Sequence, residues 1–297
     1  MVLSMTRTAA PVRGESLGSA GWLSGALAVV AAVAAAATMW IPGVLRGPAA
    51  VNGSAQGTAL VVLVVAVPLL IAAMISASSG SARALIVWLG ALGYLLYNAV
   101  MFLFATPFNR LFLLYVAMLS LCLWSVLTLL VRIDVESVAG LFSPRTPVRG
   151  LAAYTWVVVG LNVLAWMRMI VPGLVHDRSP AFLAGTGMTT NPVFVQDLAF
   201  WLPLMAVAAL WLYRRRPWGY LVVGSVLIMW VIEAVSVAVD QWIGHVADPA
   251  SPAASAAVVP MFAVLATVGL VPLWYYFRAM APVGHRPGTA GPIAPGR

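Results

Sequence analysis

Apolar residues gather in eight runs, near residues 22–41, 58–74, 84–105, 111–131, 151–171, 192–213, 218–239 and 257–277. Each is close to the roughly 20 residues that a helix needs to cross ~30 Å of hydrocarbon. None alternates apolar and polar positions as a barrel strand does, and only helices or closed barrels satisfy the backbone in lipid. The pattern predicts an all-α fold, a polytopic transmembrane helical bundle of eight spans. Residues 21–278 form a single transmembrane domain in this reading, and the polar, small-residue ends 1–20 and 279–297 are disordered cytoplasmic tails. The Ala-rich first run resembles a signal-peptide core. Its length and its direct passage into Pro42-Gly43, with no polar cleavage region, favour a retained span.

The polar positions between the runs set the orientation. Arg7, Arg13, Arg83, Arg132, Arg145, Arg149, Arg214, Arg215, Arg216, Arg278, Arg286 and Arg297 fall on one side, and only Arg46, Arg110 and Arg178 on the other. Cytoplasmic loops carry the excess of basic residues, so both termini are expected inside.

Composition agrees with the pattern. The chain is 63% hydrophobic and 8% charged, against roughly a quarter charged for a soluble domain. The net charge of +8 does not mark a nucleic-acid surface, because the arginines are spread over loops rather than collected on one face. All sixteen basic residues are arginine. With the excess of Ala, Gly and Pro, this points to a GC-rich bacterial genome and hence to the bacterial cytoplasmic membrane. The single cysteine, Cys122, excludes an internal disulfide.

The most informative stretch is Asn191 to Tyr220. Asn191-Pro192 reads as a helix start, an Asn cap followed by a proline whose missing N–H has no partner to lose there. Asp197 follows two turns into the apolar run, and Arg214, Arg215 and Arg216 close it among Trp211, Tyr213, Trp218 and Tyr220. Two halves of four spans also echo each other, as a 4+4 tandem duplication would. Met39 to Leu45 parallels Met169 to Val175 through Pro42-Gly43 and Pro172-Gly173, and Pro68-Leu69 parallels Pro203-Leu204. Thirty residues beyond those two prolines lie Asn98 and Glu233. Coincidence stands beside duplication at this point, since Pro-Gly at helix ends is common.

Three ionisable residues lie well inside spans: Arg168, Asp197 and Glu233. Asp197 is 17 residues from Arg214, and Glu233 is 17 from Arg216, roughly 25 Å of helix in each case. Arg168 is 19 residues from Arg149 and Asn98 is 15 from Arg83, so all four share one slab toward the outer surface. Glu233, Ser236 and Asp240 lie on one helix face. Charge is costly in the bilayer, so these groups should face the interior and pair. One reading is a structural Arg168–Asp197 ion pair. The other is a binding cluster of Arg168, Asp197, Glu233, Asp240 and Asn98 for a small polar solute, a cation or a lipid headgroup. One arginine against three carboxylates favours the second, because surplus acid must be protonated, hydrated or matched by a bound cation.

Other chemistry finds less support. His176, Asp177, Asp240, His245 and Asp248 lie on the outer side, but their spacing matches no zinc motif. No histidine falls in a span, which excludes a bis-histidine haem. There is no Ser-His-Asp elbow and no Gly-rich phosphate loop, so no cofactor or metal is expected. Trp274, Tyr275 and Tyr276 read as an interfacial aromatic belt.

Tyr97 to Trp124 and Asn191 to Tyr220 resemble a group of uncharacterised multi-pass bacterial, mainly actinobacterial, membrane proteins of about eight spans. The likeness runs from about the second span through the eighth. It rests on Asn98, the Phe108-Asn109 turn, Asn191-Pro192, Asp197 and Arg214-Arg215-Arg216-Pro217-Trp218-Gly219. It implies a class and brings no mechanism. The leading expectation is therefore binding or transport at an outward-facing polar cluster. A membrane-embedded enzyme using Asp197 or Glu233 on a lipid-linked substrate is the rival, and a non-catalytic assembly or sensor subunit is a third reading.

Overall fold

The computed structural model describes residues 17–175 and 180–280. Eight helices in it are long and apolar enough to cross a membrane. They are α1 (Leu17–Trp40), α2 (Ala49–Ser78), α3 (Ala82–Phe104), α4 (Phe112–Arg132), α5 (Val148–Val175), α6 (Pro192–Tyr213), α7 (Pro217–Ala247) and α8 (Val259–Arg278). The chain is an all-α, multi-pass integral membrane protein. Helices α3 and α7 form the centre, with α2 packed along α7 and against α3; α1 and α4 pair on one flank, and α5 and α6 on another. The most enclosed span is α3, and α5 is the least enclosed.

Local chemistry fixes the ends. Asn191 Oδ1 accepts from the Val193 N–H at 2.9 Å, the cap expected of Asn-Pro, and Ser81 Oγ accepts from the Ala84 N–H at 3.3 Å. On the side holding the α2–α3 and α6–α7 turns, arginines bind backbone carbonyls directly. Arg83 donates to the Met280 carbonyl at 2.8 Å and Arg215 to the Pro144 carbonyl at 2.9 Å.

Four spans differ in extent from expectation, α5 among them, since it runs to Val175 past the expected end at 171. Helix α1 starts at Leu17, inside the predicted N-terminal tail. Helix α2 begins at Ala49 rather than near residue 58, and α7 runs to Ala247 rather than 239. The two extensions pack on each other. A Cβ on Gly57 would lie 2.5 Å from Asp240 Cα, and one on Gly53 would lie 2.8 Å from the Ile243 carbonyl oxygen. Small residues let two backbones approach this closely. The polar, glycine-rich Asn52 to Gly57 reads as loop in the sequence and is helix here, because packing outweighs helix propensity. The remainder of the predicted tails, with Arg7, Arg13, Arg286 and Arg297, and the loop residues His176, Asp177 and Arg178 lie outside the described residues.

The backbone repeats at a constant spacing of 135 residues. A π-helical turn spans Val62–Ala66 in α2 and Asp197–Trp201 in α6, and each is followed by proline, Pro68 or Pro203. The helices end alike at Ser79 (φ −85, ψ 10) and Arg214 (φ −82, ψ 8). The next residue has positive φ in both, Gly80 at 87° and Arg215 at 53°, and the following helices start at Ala82 and Pro217. Arg215 holds this backbone state, unusual for a residue with a Cβ, while its guanidinium is anchored on Pro144. The match ends at the α2 and α7 extensions, which have no counterparts. It also fails at Pro42-Gly43, which follow the end of α1, whereas Pro172-Gly173 lie within α5.

Candidate functional site

Asn98 and Glu233 stand 135 residues apart, at matching places in the two hairpins, and they touch. The Asn98 amide donates to Glu233 Oε2 at 2.9 Å and to the Tyr94 carbonyl at 3.1 Å. Helices α3 and α7 run in the same direction where they pack, with Gly90 against Ser225 and Ile228 and Gly93 against Met229. Asn98 and Glu233 are both buried.

From this pair, polar groups extend both ways. Along α7, the Tyr94 hydroxyl donates to Ser236 Oγ at 2.9 Å, one turn beyond Glu233. Asp240 follows, its Oδ1 accepting from the Gln241 amide at 3.1 Å and its carbonyl from Ser54 Oγ at 3.2 Å. Gln241 Oε1 in turn accepts from the Ser255 N–H at 3.0 Å, in the loop before α8. Toward α6, Asp197 stands at the first residue of the π turn. The Trp166 indole N–H donates to Asp197 Oδ2 at 2.9 Å. The Tyr97 hydroxyl sits beside the same carboxylate, without a well-aligned hydrogen bond to Oδ1, which has no partner. Gln196 is similar: its Oε1 accepts from the Trp201 indole at 3.3 Å, and its Nε2 has no partner.

Asn98, Asp197, Glu233 and Asp240 are thus brought onto one interior track. Arg168 is not. It is exposed and forms no ion pair with Asp197. Residues two apart on a helix point roughly 200° apart, so with Trp166 turned onto α6, Arg168 faces outward. The expected Arg168–Asp197 pair is replaced by an indole–carboxylate hydrogen bond. Among the described residues, Asp197, Glu233 and Asp240 meet no arginine. Sequence reading also missed Trp166, Tyr97, Gln196 and Tyr94, which look like belt or core residues; the 31-residue spacing of Trp166 and Asp197 carries no local signal. Of the outer-side residues, His245 lies in the last turn of α7, and Asp248 Oδ1 accepts from the Ala250 N–H at 3.2 Å.

Two surface clefts lie elsewhere. One of about 240 Å³ is lined by Thr38, Trp40, Gly43, Asn52 and Gln56. The other, about 340 Å³, lies beside Pro147, Arg149, Tyr213 and Arg215. Neither touches the acidic track.

The class that fold and site define is a multi-pass membrane protein with buried acidic residues between its central helices. No protein-family model, curated protein or solved structure matches the chain.

Proposed function

We propose that this protein binds a small polar solute in the track between its two repeats and carries it across the bacterial cytoplasmic membrane. The observation that carries the reading is incomplete pairing. Among the described residues, three carboxylates lie along the track without a basic partner, Gln196 Nε2 is buried with no hydrogen bond, and Asp197 Oδ1 has only the Tyr97 hydroxyl near it, without good hydrogen-bond geometry. Buried polar groups are normally satisfied, so these two atoms are poised for something that arrives. An assembly subunit has no need of a half-satisfied network, which is less stable than an apolar core. The parallel repeats support transport, since in such folds substrates bind near the repeat interface and one half rocks against the other. The π turns and Pro68 and Pro203 give α2 and α6 matching weak points for that motion, because π turns and prolines interrupt the regular helix ladder. The arginine distribution favours both termini inside and the Asp240 end of the track facing out.

The test uses the full-length protein in lipid nanodiscs, its thermal unfolding followed with sodium, potassium, choline, ethanolamine, glucose and myo-inositol. At least one solute should raise the unfolding temperature in a saturable way. Glu233→Gln should remain folded and lose that shift, since the amide keeps size and hydrogen bonding but not the charge. A Glu233→Gln protein that responds like the parent to every solute would refute the reading.

A further inference from the structure

The cleft of about 340 Å³ on the arginine-rich side lies where α5 begins and α6 ends. Tyr213 of α6 closes it toward α5, its ring 5.8 Å from that of Trp156. Arg149 and Arg215 stand in its wall, both exposed, and no acidic residue lines it. Among the described residues the Arg149 guanidinium makes no hydrogen bond or ion pair. Arg215 donates only to neutral acceptors: the Pro144 carbonyl at 2.9 Å, the Tyr220 hydroxyl at 3.4 Å and the Thr146 carbonyl at 3.5 Å. A guanidinium carries five N–H donors, so some remain. Two positive charges thus share the cleft with no counter-charge.

The first turn of α5 supplies Val148 and Arg149 to the same wall. Among the described residues, the Arg149 and Gly150 N–H groups have no backbone acceptor, as usual at a helix start. A Cβ on Gly150 would meet nothing within 4 Å, so this turn is uncovered. Thr146, just before the helix, also lines the cleft and is 4% exposed, yet its hydroxyl has no hydrogen-bond partner. Buried hydroxyls are normally bonded. Bulk water does not reach this one, so the missing partner is a group that enters the cleft. These groups agree on the ligand. Two guanidiniums and the helix-start amides all donate, and the positive end of the helix dipole adds to their charge. A phosphate, with several acceptor oxygens that arginine can grip in pairs, matches such a set.

We propose that the cleft at the start of α5 binds a phosphate group, held by Arg149 and Arg215 together with the first amides of α5 and the Thr146 hydroxyl. The same chemistry is offered by the headgroup of an anionic phospholipid and by a free phosphate or phosphate ester. The surroundings suit the lipid. The cleft lies where α5 and α6 enter the hydrocarbon, and basic pockets between spans on the cytoplasmic side recognise anionic headgroups. Helix α5 is the least enclosed span, and Val157, Leu161 and Leu164 are exposed along it for an acyl chain to follow. A phosphate bound here ties the start of α5 to the end of α6, on the flank that carries Trp166 and Asp197.

Native mass spectrometry of the full-length protein in detergent, titrated with dioleoylphosphatidylglycerol, tests the lipid source. Dioleoylglycerol, with the same chains and no phosphate, is its control. Equilibrium dialysis against radiolabelled inorganic phosphate and glycerol phosphate tests the free source. Saturable binding in either arm, weakened about tenfold by Arg149→Gln and by Arg215→Gln, supports the proposal, as loss of a hydrogen bond to a charged group predicts. Arg132→Gln removes the same charge at the end of α4, on the other flank, and should leave binding as in the parent. Should Arg215→Gln fail to fold, because Arg215 also ties the loop before α5, Arg149→Gln and Thr146→Val carry the test. Phosphate-bearing ligands that bind Arg149→Gln as tightly as the parent would overturn the site, as would an equal loss in Arg132→Gln. Dioleoylglycerol binding as well as the phospholipid, or no binding in either arm, would overturn the ligand class.

Discussion

Trp166 and Arg168 show how much turns on two positions of a helix. An arginine at the depth of an aspartate is the natural partner by charge, and breaking such a buried pair from one side costs about 3–5 kcal/mol. The structure gives that place to the Trp166 indole and leaves Arg168 exposed, where a long side chain can reach the membrane surface with its charge. Arg168→Ala should therefore change stability by less than about 0.5 kcal/mol, as surface substitutions do. Trp166→Phe should cost about 1–3 kcal/mol, because it strips a buried carboxylate oxygen of its donor. Thermal unfolding in one detergent decides between them, and the reverse order of damage would restore the ion pair. Depth along a helix was legible from residue counts, but rotation about it was not, since so apolar a span offers no polar stripe to set its facing. For that reason Asn98 and Glu233 were placed at one level, while their direct bond came only with the fold. Asn98→Leu should cost a similar 1–3 kcal/mol by leaving Glu233 Oε2 without its donor.

At the level of elements, number and order of the spans follow from hydropathy because lipid imposes one length on every crossing. Ends that lie beyond the hydrocarbon escape that rule. Helix α7 has 31 residues, roughly 46 Å at 1.5 Å per residue, and its excess is stabilised by the equally overlong α2. Asp240 lies in this excess, so it belongs to the one part of the track without a counterpart in the other half. The π turns were equally hidden: nothing in VLVVA or DLAFW distinguishes a π turn from an α turn, and only the nearby proline marks the place. The crossing gives a sharp test. Gly57→Leu puts a side chain where Asp240 Cα already lies 2.5 Å from the Cβ position. Backbone on the opposing helix has to move, so the change should cost at least the 1–3 kcal/mol typical of overpacking. Gly25→Leu, at a helical position with open space around it, should leave stability unchanged or raise it by up to about 1 kcal/mol, since leucine is the better helix former. If both variants unfold at the same temperature, α2 and α7 do not cross as described.

At the scale of the whole molecule, the 135-residue repeat and the arginine distribution are independent facts that agree. The 135-residue spacing matches the α2–α3 turn to the α6–α7 turn, and these turns carry Arg83 and Arg214 to Arg216. In the proposed orientation that side is cytoplasmic. Arg83 and Arg215 bind loop carbonyls there, so the basic groups that set topology also tie the turns to the loop before α5 and to the end of α8. The orientation can be measured with single cysteines in a Cys122→Ala background, because Cys122 is buried and contributes no surface label. Ser79 and Ser143 are exposed on the arginine-rich side, and Ile41 and Ala250 on the other. A membrane-impermeant maleimide added to intact cells should label Ile41→Cys and Ala250→Cys, and should reach Ser79→Cys and Ser143→Cys only after the membrane is permeabilised. Labelling of the two serine positions alone in intact cells would invert the protein and turn the Asp240 end of the track toward the cytoplasm. Labelling of one position from each pair would break the eight-span arrangement itself.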